Sequence, residues 1–385
     1  MELTGSAMRV LGRAFAGLKR LSDEAMRSTP AAREPPRVLT EVIRFGTNPG
    51  NLRMFAFVPD RLAPSRPLVL VLHGCTQTAA GYDEGTGWST LAERYGFALV
   101  FAQQKRANNL RTCFNWFQPE DVGRDRGEAL SIRQMVEHMV ERHRLCRGQA
   151  YVTGLSAGGA MTMVMLAAYP DVFAGGAVIA GLPYGCAGNA REALACMFQG
   201  CARSPEDWGD RVRAAAGRRG PWPKLSVWHG TADMTVAPLN AQEIVKQWTN
   251  VHGLGAEPEA VETVDRYPRQ VWRGPTGETV IEAYTITSMA HGTPLTTRGD
   301  ALGTPGPFLL DVGISSSYHI ARFWGLTGEA VVGHKTAEPP TGEDTVPSSG
   351  MGTIVRKALK AMGLLKSCRP CENSAGWIPA RRLGG

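Results

Sequence analysis

The pentapeptide Gly154-Leu155-Ser156-Ala157-Gly158 constrains this chain more than any other feature. It lies between Tyr151 to Leu155, which reads as a buried strand, and Ala157 to Ala168, which reads as an apolar helix. A serine set between a strand end and a helix start has the context of a nucleophile elbow. The turn is tight, and side chains at 154 and 158 would clash with neighbouring backbone. The helix beginning at Ala157 aims its free N–H groups at the spot where an oxyanion would form. The pentapeptide alone would mean little, because Gly, Ser and Ala are common. The flanking strand and helix give it weight.

An elbow needs a sheet around it. Leu68 to Leu72 and Phe97 to Phe101 are continuous apolar runs, as in strands covered on both faces. Val172 to Ile179, Leu225 to Trp228 and Val280 to Ile286 continue the series, and a strand pair precedes it between Leu39 and Pro59. Helical patterns fall at Trp88 to Tyr95, Glu128 to His143 and Tyr318 to Trp324. This alternation predicts an α/β-hydrolase fold, with a doubly wound, mostly parallel sheet and helices on both faces. Residues 184–223 interrupt the rhythm and read as a lid-like insertion. The catalytic domain is expected over 37–332. A basic amphipathic segment (1–36) precedes it, and a polar Pro/Gly-rich linker (333–350) and a basic tail (351–385) follow.

Composition excludes several classes. Hydrophobic residues make up 43% and charged residues 20%, which excludes disorder across the whole chain. No apolar run approaches the ~18 residues of a membrane span. The net charge of +7 is spread out, with no basic run interleaved with aromatics, so nucleic acid is not an expected partner. Eight cysteines could form disulfides, but a chain of this size does not need them to hold a core. Arg9, Arg13, Lys19 and Arg20 interrupt the apolar residues of the first turns, which is unlike a secretory signal. The expected location is therefore cytoplasmic. Only Cys368-Arg-Pro-Cys371 has metal-ligand spacing, with no second Cys/His pair nearby, so no metal site is expected.

A serine hydroxyl needs a base to take its proton. In this fold the chain order is serine, acid, histidine. His291 follows the strand Val280 to Ile286 and is the expected base. His229 ends a strand, His252 and His334 fall in polar stretches, and His319 falls in a helix. Asp233 follows the strand Leu225 to Trp228, on the same sheet edge, and is the expected acid. Asp265 and Asp300 lie in less defined loops, and Asp171 reads as a helix end. The loop His73-Gly74-Cys75-Thr76-Gln77 follows the strand Leu68 to Leu72, so the Cys75 N–H joins the Ala157 N–H as an expected oxyanion donor. His73 reads as a residue that holds this loop. Acyl transfer of this kind requires no cofactor.

With these residues in hand, the chain resembles the short-chain polyhydroxyalkanoate (poly-3-hydroxybutyrate) depolymerase family of esterases. The similarity rests on His73 to Gln77, Gly85-Thr86-Gly87-Trp88, Cys113-Phe114-Asn115-Trp116-Phe117, Gly154 to Met161, Gly181 to Gly185 and His229 to Asp233. It covers about residues 40–325, and the oxyanion loop ahead of the serine looks like the type 1 arrangement. The resemblance implies hydrolysis of poly(3-hydroxybutyrate)-type polyesters or their oligomers through Ser156, Asp233 and His291. It also implies that Trp116 lines the substrate crevice, although an aromatic between two phenylalanines reads more simply as core. It further suggests a Cys75–Cys113 bridge, which two buried thiols would replace in a reducing cytosol. Without a signal or a large tail module, the chain looks more like intracellular relatives acting on amorphous granules. The basic amphipathic ends suit adsorption to a polyhydroxyalkanoate granule, or they simply pack or fray. Alternatives on the same fold are a small-ester or feruloyl/acetyl carboxylesterase. A catalytically idle granule-surface protein is the alternative of another class.

Overall fold

The computed structural model describes residues 39–218, 220–298 and 302–328. The segments 1–36, 333–350 and 351–385 lie outside them, as do Asp300, His334, Cys368 and Cys371. The chain enters through β1 (Thr40–Val42), β2 (Arg53–Phe57) and β3 (Leu68–Leu72), then α1 (Ala79–Thr86) and α2 (Trp88–Tyr95). β4 (Ala98–Gln103), the short α3 (Pro119–Val122), α4 (Gly127–His143), β5 (Ala150–Leu155), α5 (Ala157–Ala168) and β6 (Phe173–Ile179) follow. The insertion holds α6 (Ala190–Gln199) and α7 (Pro205–Ala216) and leads into β7 (Lys224–Gly230) and α8 (Leu239–His252). The last stretch runs through β8 (Ala260–Val264), β9 (Tyr267–Arg273), β10 (Thr279–Ile286), β11 (Thr293–Leu295), β12 (Leu309–Asp311) and α9 (Ser316–Phe323).

Ten strands form one sheet in the order β1-β2-β4-β3-β5-β6-β7-β10-β9-β8. The six from β4 to β10 pair in parallel. The outer strands β1, β2, β9 and β8 pair antiparallel. β3 and β5 lie in the middle and are buried along their whole length, which explains the unbroken apolar sequence of β3 and the nearly apolar one of β5, broken only by Thr153. Successive residues alternate between faces: Leu68, Leu70 and Leu72 join one core cluster, Val69 and Val71 the other. Full burial of each such side chain stabilises the fold by roughly 1.5–3 kcal/mol.

Several elements carry little sequence signal. α8 turns Asn240, Glu243, Gln247 and Thr249 inward beside Ile244 and Trp248, so its apolar stripe is broken. His252, expected in a loop, is the last residue of this helix. β8 is exposed over most of its length. Its hairpin to β9 turns on Asp265 and Arg266 at φ 44° and 67°, where Asn-Gly would be the usual signal. The insertion is fastened to the body of the fold. Trp208 of α7 is fully buried, and its indole N–H donates to Glu243 of α8 at 2.6 Å. Gln247 of α8 donates to the carbonyls of Tyr184 and Trp208. A disulfide joins Cys196 to Cys201.

Candidate active site

Each expected site residue follows the C-terminal end of a parallel strand, the edge where open α/β sheets bind ligands. Ser156 follows β5 with φ 57° and ψ −117°, a strained conformation for a residue with a side chain. Its N–H donates to the Ile179 carbonyl at 2.9 Å, and its carbonyl accepts from Ala160 N–H at 2.8 Å, so both neighbours hold the strain in place. A Cβ at Gly154 would lie 2.4 Å from the Gly158 carbonyl oxygen, and one at Gly158 would lie 2.4 Å from the Leu72 carbonyl oxygen. The two glycines therefore let β5, α5 and the end of β3 meet at one point.

Asp233 lies after β7 and His291 after β10. The two strands are parallel neighbours, with Trp228 paired in register to Tyr284. These rings stack at 3.7 Å between centroids, a contact worth about 0.5–1.5 kcal/mol beyond its buried area. The two loops are also clipped together. Ala232 N–H donates to the Met289 carbonyl at 3.0 Å, and Ser288 N–H donates to Thr231 Oγ1 at 2.8 Å. Asp233 Oδ1 accepts from the N–H groups of Thr235 and Val236 at 2.8 and 2.9 Å. That fixes the carboxylate plane and points Oδ2 at His291 Nδ1, 2.7 Å away.

Oδ2 meets a second imidazole, since His229 Nε2 stands 3.2 Å from it. Burial pushes the Asp233 carboxyl up, but the hydrogen bonds from His229 and His291 outweigh it. The group is held below the usual carboxylate range and stays ionised. The two histidines differ in what their other contacts leave available. His229 Nε2 also lies 2.9 Å from the Val236 carbonyl, and its Nδ1 is buried without a partner among the described residues. His291 spends only Nδ1 on Asp233, and Phe308 packs edge-on against its ring. Among the described residues His291 thus meets the acid through Nδ1 alone, and His229 is a second clamp on the same carboxylate oxygen. The clamp was not anticipated. Its signal was the four-residue spacing of His229 and Asp233 after a strand.

The loop after β3, expected to supply an oxyanion donor, is tied down at several points. Gly74 N–H donates to Gln77 Oε1 at 2.9 Å, and Thr76 N–H to the Arg111 carbonyl at 2.7 Å. Cys75 is disulfide-bonded to Cys113, the pairing the family resemblance suggests. Neither the Cys75 nor the Ala157 N–H meets a backbone acceptor among the described residues. Trp116 is buried in the main core cluster, edge-on to Phe117. The rival groups are engaged elsewhere: Asp265 pairs with His319 and Asp171 with Arg124, both at 2.8 Å, while His252 Nε2 lies 3.1 Å from the Pro223 carbonyl.

The strand order and the strained serine between β5 and α5 define this chain as an α/β-hydrolase. Its particular family follows from comparison with known proteins. The model of the family "Esterase PHB depolymerase" matches residues 54–263, more than half of the chain, and the chain belongs to that family. It is 50% identical over 293 residues to poly(3-hydroxyalkanoate) depolymerase C of Paucimonas lemoignei, covering 75% of this chain and 70% of that one. It is 34% identical over 272 residues to an acetylxylan esterase of Coprinopsis cinerea, covering 69% and 72%. Among solved structures, an acetyl xylan esterase from Aspergillus awamori superimposes with a TM-score of 0.64 at 26% identity, covering 76% of this chain and all of that one. The chain is a carboxylic ester hydrolase.

Proposed function

We propose that the chain hydrolyses ester bonds of poly(3-hydroxybutyrate)-type polyesters or their oligomers, with Ser156 as nucleophile, His291 as base and Asp233 as the acid that orients it. His291 Nε2 takes the Ser156 proton as Oγ attacks the ester carbonyl. The N–H groups of Cys75 and Ala157 stabilise the tetrahedral oxyanion. The intermediate collapses, His291 returns the proton to the leaving alkoxide, and an acyl-enzyme remains. Water then attacks the acyl group by the same route and frees Ser156.

The observation that carries the chemistry is the 2.7 Å contact between His291 Nδ1 and the ionised Asp233, on the sheet edge that also holds the strained serine. The polyester reading is supported by the 50% identity to a depolymerase. It is further supported by exposed apolar side chains on segments joined to the site. Leu110 precedes Arg111, which holds the oxyanion loop, and Met234 follows Asp233. Phe198 follows Met197, whose carbonyl accepts from Ala237 beyond the acid. The likeness to acetylxylan esterases favours a second reading, a small-ester carboxylesterase. Turnover of p-nitrophenyl butyrate, run beside clearing of an amorphous poly(3-hydroxybutyrate) suspension, separates the two. Both activities support the depolymerase, ester turnover alone supports the esterase, and neither sinks both. Trp116 as a crevice wall is part of this proposal, and a raised KM for oligomers in Trp116→Leu tests it.

Among the described residues no helix is long and apolar enough to cross a membrane. The expected cytoplasmic location meets two disulfides, Cys75–Cys113 and Cys196–Cys201, which oxidising compartments preserve and a reducing cytosol removes. We therefore infer an oxidising compartment for the enzyme. Recovery of all four cysteines as free thiols from alkylated cell extract would refute that inference. Granule adsorption by the basic ends, which lie outside the described residues, belongs instead to the alternative of a cytoplasmic enzyme with reduced cysteines, and co-sedimentation with native granules tests it.

A further inference from the structure

We propose that Phe308 is a positioning residue for His291, a ring held by strained backbone so that it braces the imidazole. This rests on the reading above that His291 is the base. Phe308 has φ 62°, in the left-handed region that a bulky side chain rarely adopts. Gly303, earlier in the same segment, reaches φ 87° without that penalty. A strained phenylalanine persists only where the surroundings hold it, and here they hold it from both sides. The Phe308 carbonyl accepts from Thr293 N–H at 2.8 Å, and the next residues, Leu309–Asp311, pair in parallel with Thr293–Leu295. Before it, the Pro307 carbonyl accepts from Gln77 Nε2 at 3.4 Å, while Gln77 Oε1 accepts from Gly74 N–H at 2.9 Å. With the preceding peptide and the following carbonyl both held, the side chain is left one direction, and it leads to His291.

The imidazole needs such a brace. Its one side-chain hydrogen bond among the described residues runs from Nδ1 to Asp233, at 2.7 Å. A ring fixed at Cγ and by one hydrogen bond still tilts about the line joining those points, and the tilt carries Nε2 with it. Phe308 meets the imidazole at 5.9 Å between centroids and 74° between planes, an edge-to-face contact that resists the tilt. An apolar ring at that place also keeps water from the side of the Nδ1–Asp233 bond, which strengthens it. Space-filling alone does not account for the strain. Phe308 is only half-buried, and its neighbour Leu309 supplies the buried side chain of this segment. The Gln77 amide further ties the brace to the loop after β3, so two parts of the site move as one.

The test is a set of three variants in the full chain. Phe308→Gly removes the ring and the strain together. Phe308→Ala removes the ring and keeps the strain. Phe308→Tyr keeps both. The readouts are kcat and KM for p-nitrophenyl butyrate, the rate of Ser156 labelling by a p-nitrophenyl alkylphosphonate, and the melting temperature. A shift of about 1 Å in a reacting group costs on the order of 100-fold, so a freed imidazole is expected to cost about 10- to 100-fold in kcat in both the Gly and Ala variants. KM should stay within about threefold, and the labelling rate should fall in step with kcat. Phe308→Gly should melt above Phe308→Ala, because glycine accepts the positive φ. Phe308→Tyr should recover at least about tenfold of the lost rate. A ring that served packing alone would make activity follow stability, with the Gly variant well above the Ala variant in kcat, and that order would overturn the brace. Equal kcat in the Gly and Tyr variants would overturn it too, and that contrast decides alone if Phe308→Ala does not fold. His291→Ala run in parallel separates the two levels: full turnover there would end the reading of His291 as base, whereas inert His291→Ala beside fully active Phe308→Gly would end only the brace.

Discussion

Gly158→Ala tests whether the elbow depends on close backbone approach. The added Cβ would stand 2.4 Å from the Leu72 carbonyl oxygen and 2.6 Å from that of His73, where ordinary contact begins at 3.4 Å. The start of α5 must therefore retreat from the end of β3 by about 1 Å. Both obstacles are backbone, at the end of a fully buried strand, so neither can swing aside. For stability two effects compete. Ala gains about 1 kcal/mol over Gly in a helix interior, less at this first turn, whereas overpacking costs about 1–3 kcal/mol. Overpacking wins, and the melting temperature should fall by a few degrees. The rate should suffer more, because a shift of about 1 Å in a reacting group costs on the order of 100-fold. The assay is kcat/KM for p-nitrophenyl butyrate beside a thermal melt. Gly148→Ala is the control: a Cβ there meets nothing within 4 Å, and both readouts should match the parent. Parent-like turnover in Gly158→Ala would refute the close-approach reasoning.

Asp233→Asn should lower kcat by about 10,000-fold with little change in KM, because the imidazole loses its orientation and the partner for its cation; comparable kcat would remove Asp233 from the mechanism. The Asp233 carboxyl is held below its ordinary range, so its contribution to stability is present above the unfolded carboxylate pKa and lost as pH falls through the folded one. Asp233→Asn should therefore flatten the acid limb of a melting-temperature profile. Glu128 has the opposite sign: burial pushes it from 4.5 to about 8, so the stability it confers falls as pH rises between those values, and Glu128→Gln should reduce that fall in thermal melts. Cys75→Ser with Cys113→Ser should lower the melting temperature by removing a cross-link over a separation of 38 residues, and it should also lower kcat through a looser oxyanion loop. An unchanged melt would show that the bridge is not formed in solution.

The central strands and the elbow were legible because burial on both faces dictates their composition. Each residue of β3 and β5 is apolar or small, and α5 occupies the expected residues 157–168. Ser156, Asp233 and His291 were legible as candidates because strand ends fix where loops emerge, and the 2.7 Å acid–histidine contact accords with that reading. Less could be read where polar groups are buried in pairs. Glu128, Gln104 and His73 are far apart in sequence, and only folding makes them neighbours. Glu243 and Gln247 face inward on α8 to meet Trp208 and Tyr184, which hid that helix. His229 looked like an ordinary strand end, although it reaches the same carboxylate oxygen as His291.

The most direct measurement is active-site labelling with a p-nitrophenyl alkylphosphonate, followed by peptide mass analysis and assays on both soluble ester and amorphous poly(3-hydroxybutyrate). The phosphorus takes the place of the ester carbonyl carbon, and attack by an activated serine releases p-nitrophenol and leaves a stable adduct. The account predicts a stoichiometric adduct on the peptide containing Ser156, loss of both activities in proportion to labelling, and no adduct in Ser156→Ala. Polymer clearing that persists in fully labelled protein, or an adduct on another residue that tracks the loss of activity, would contradict it.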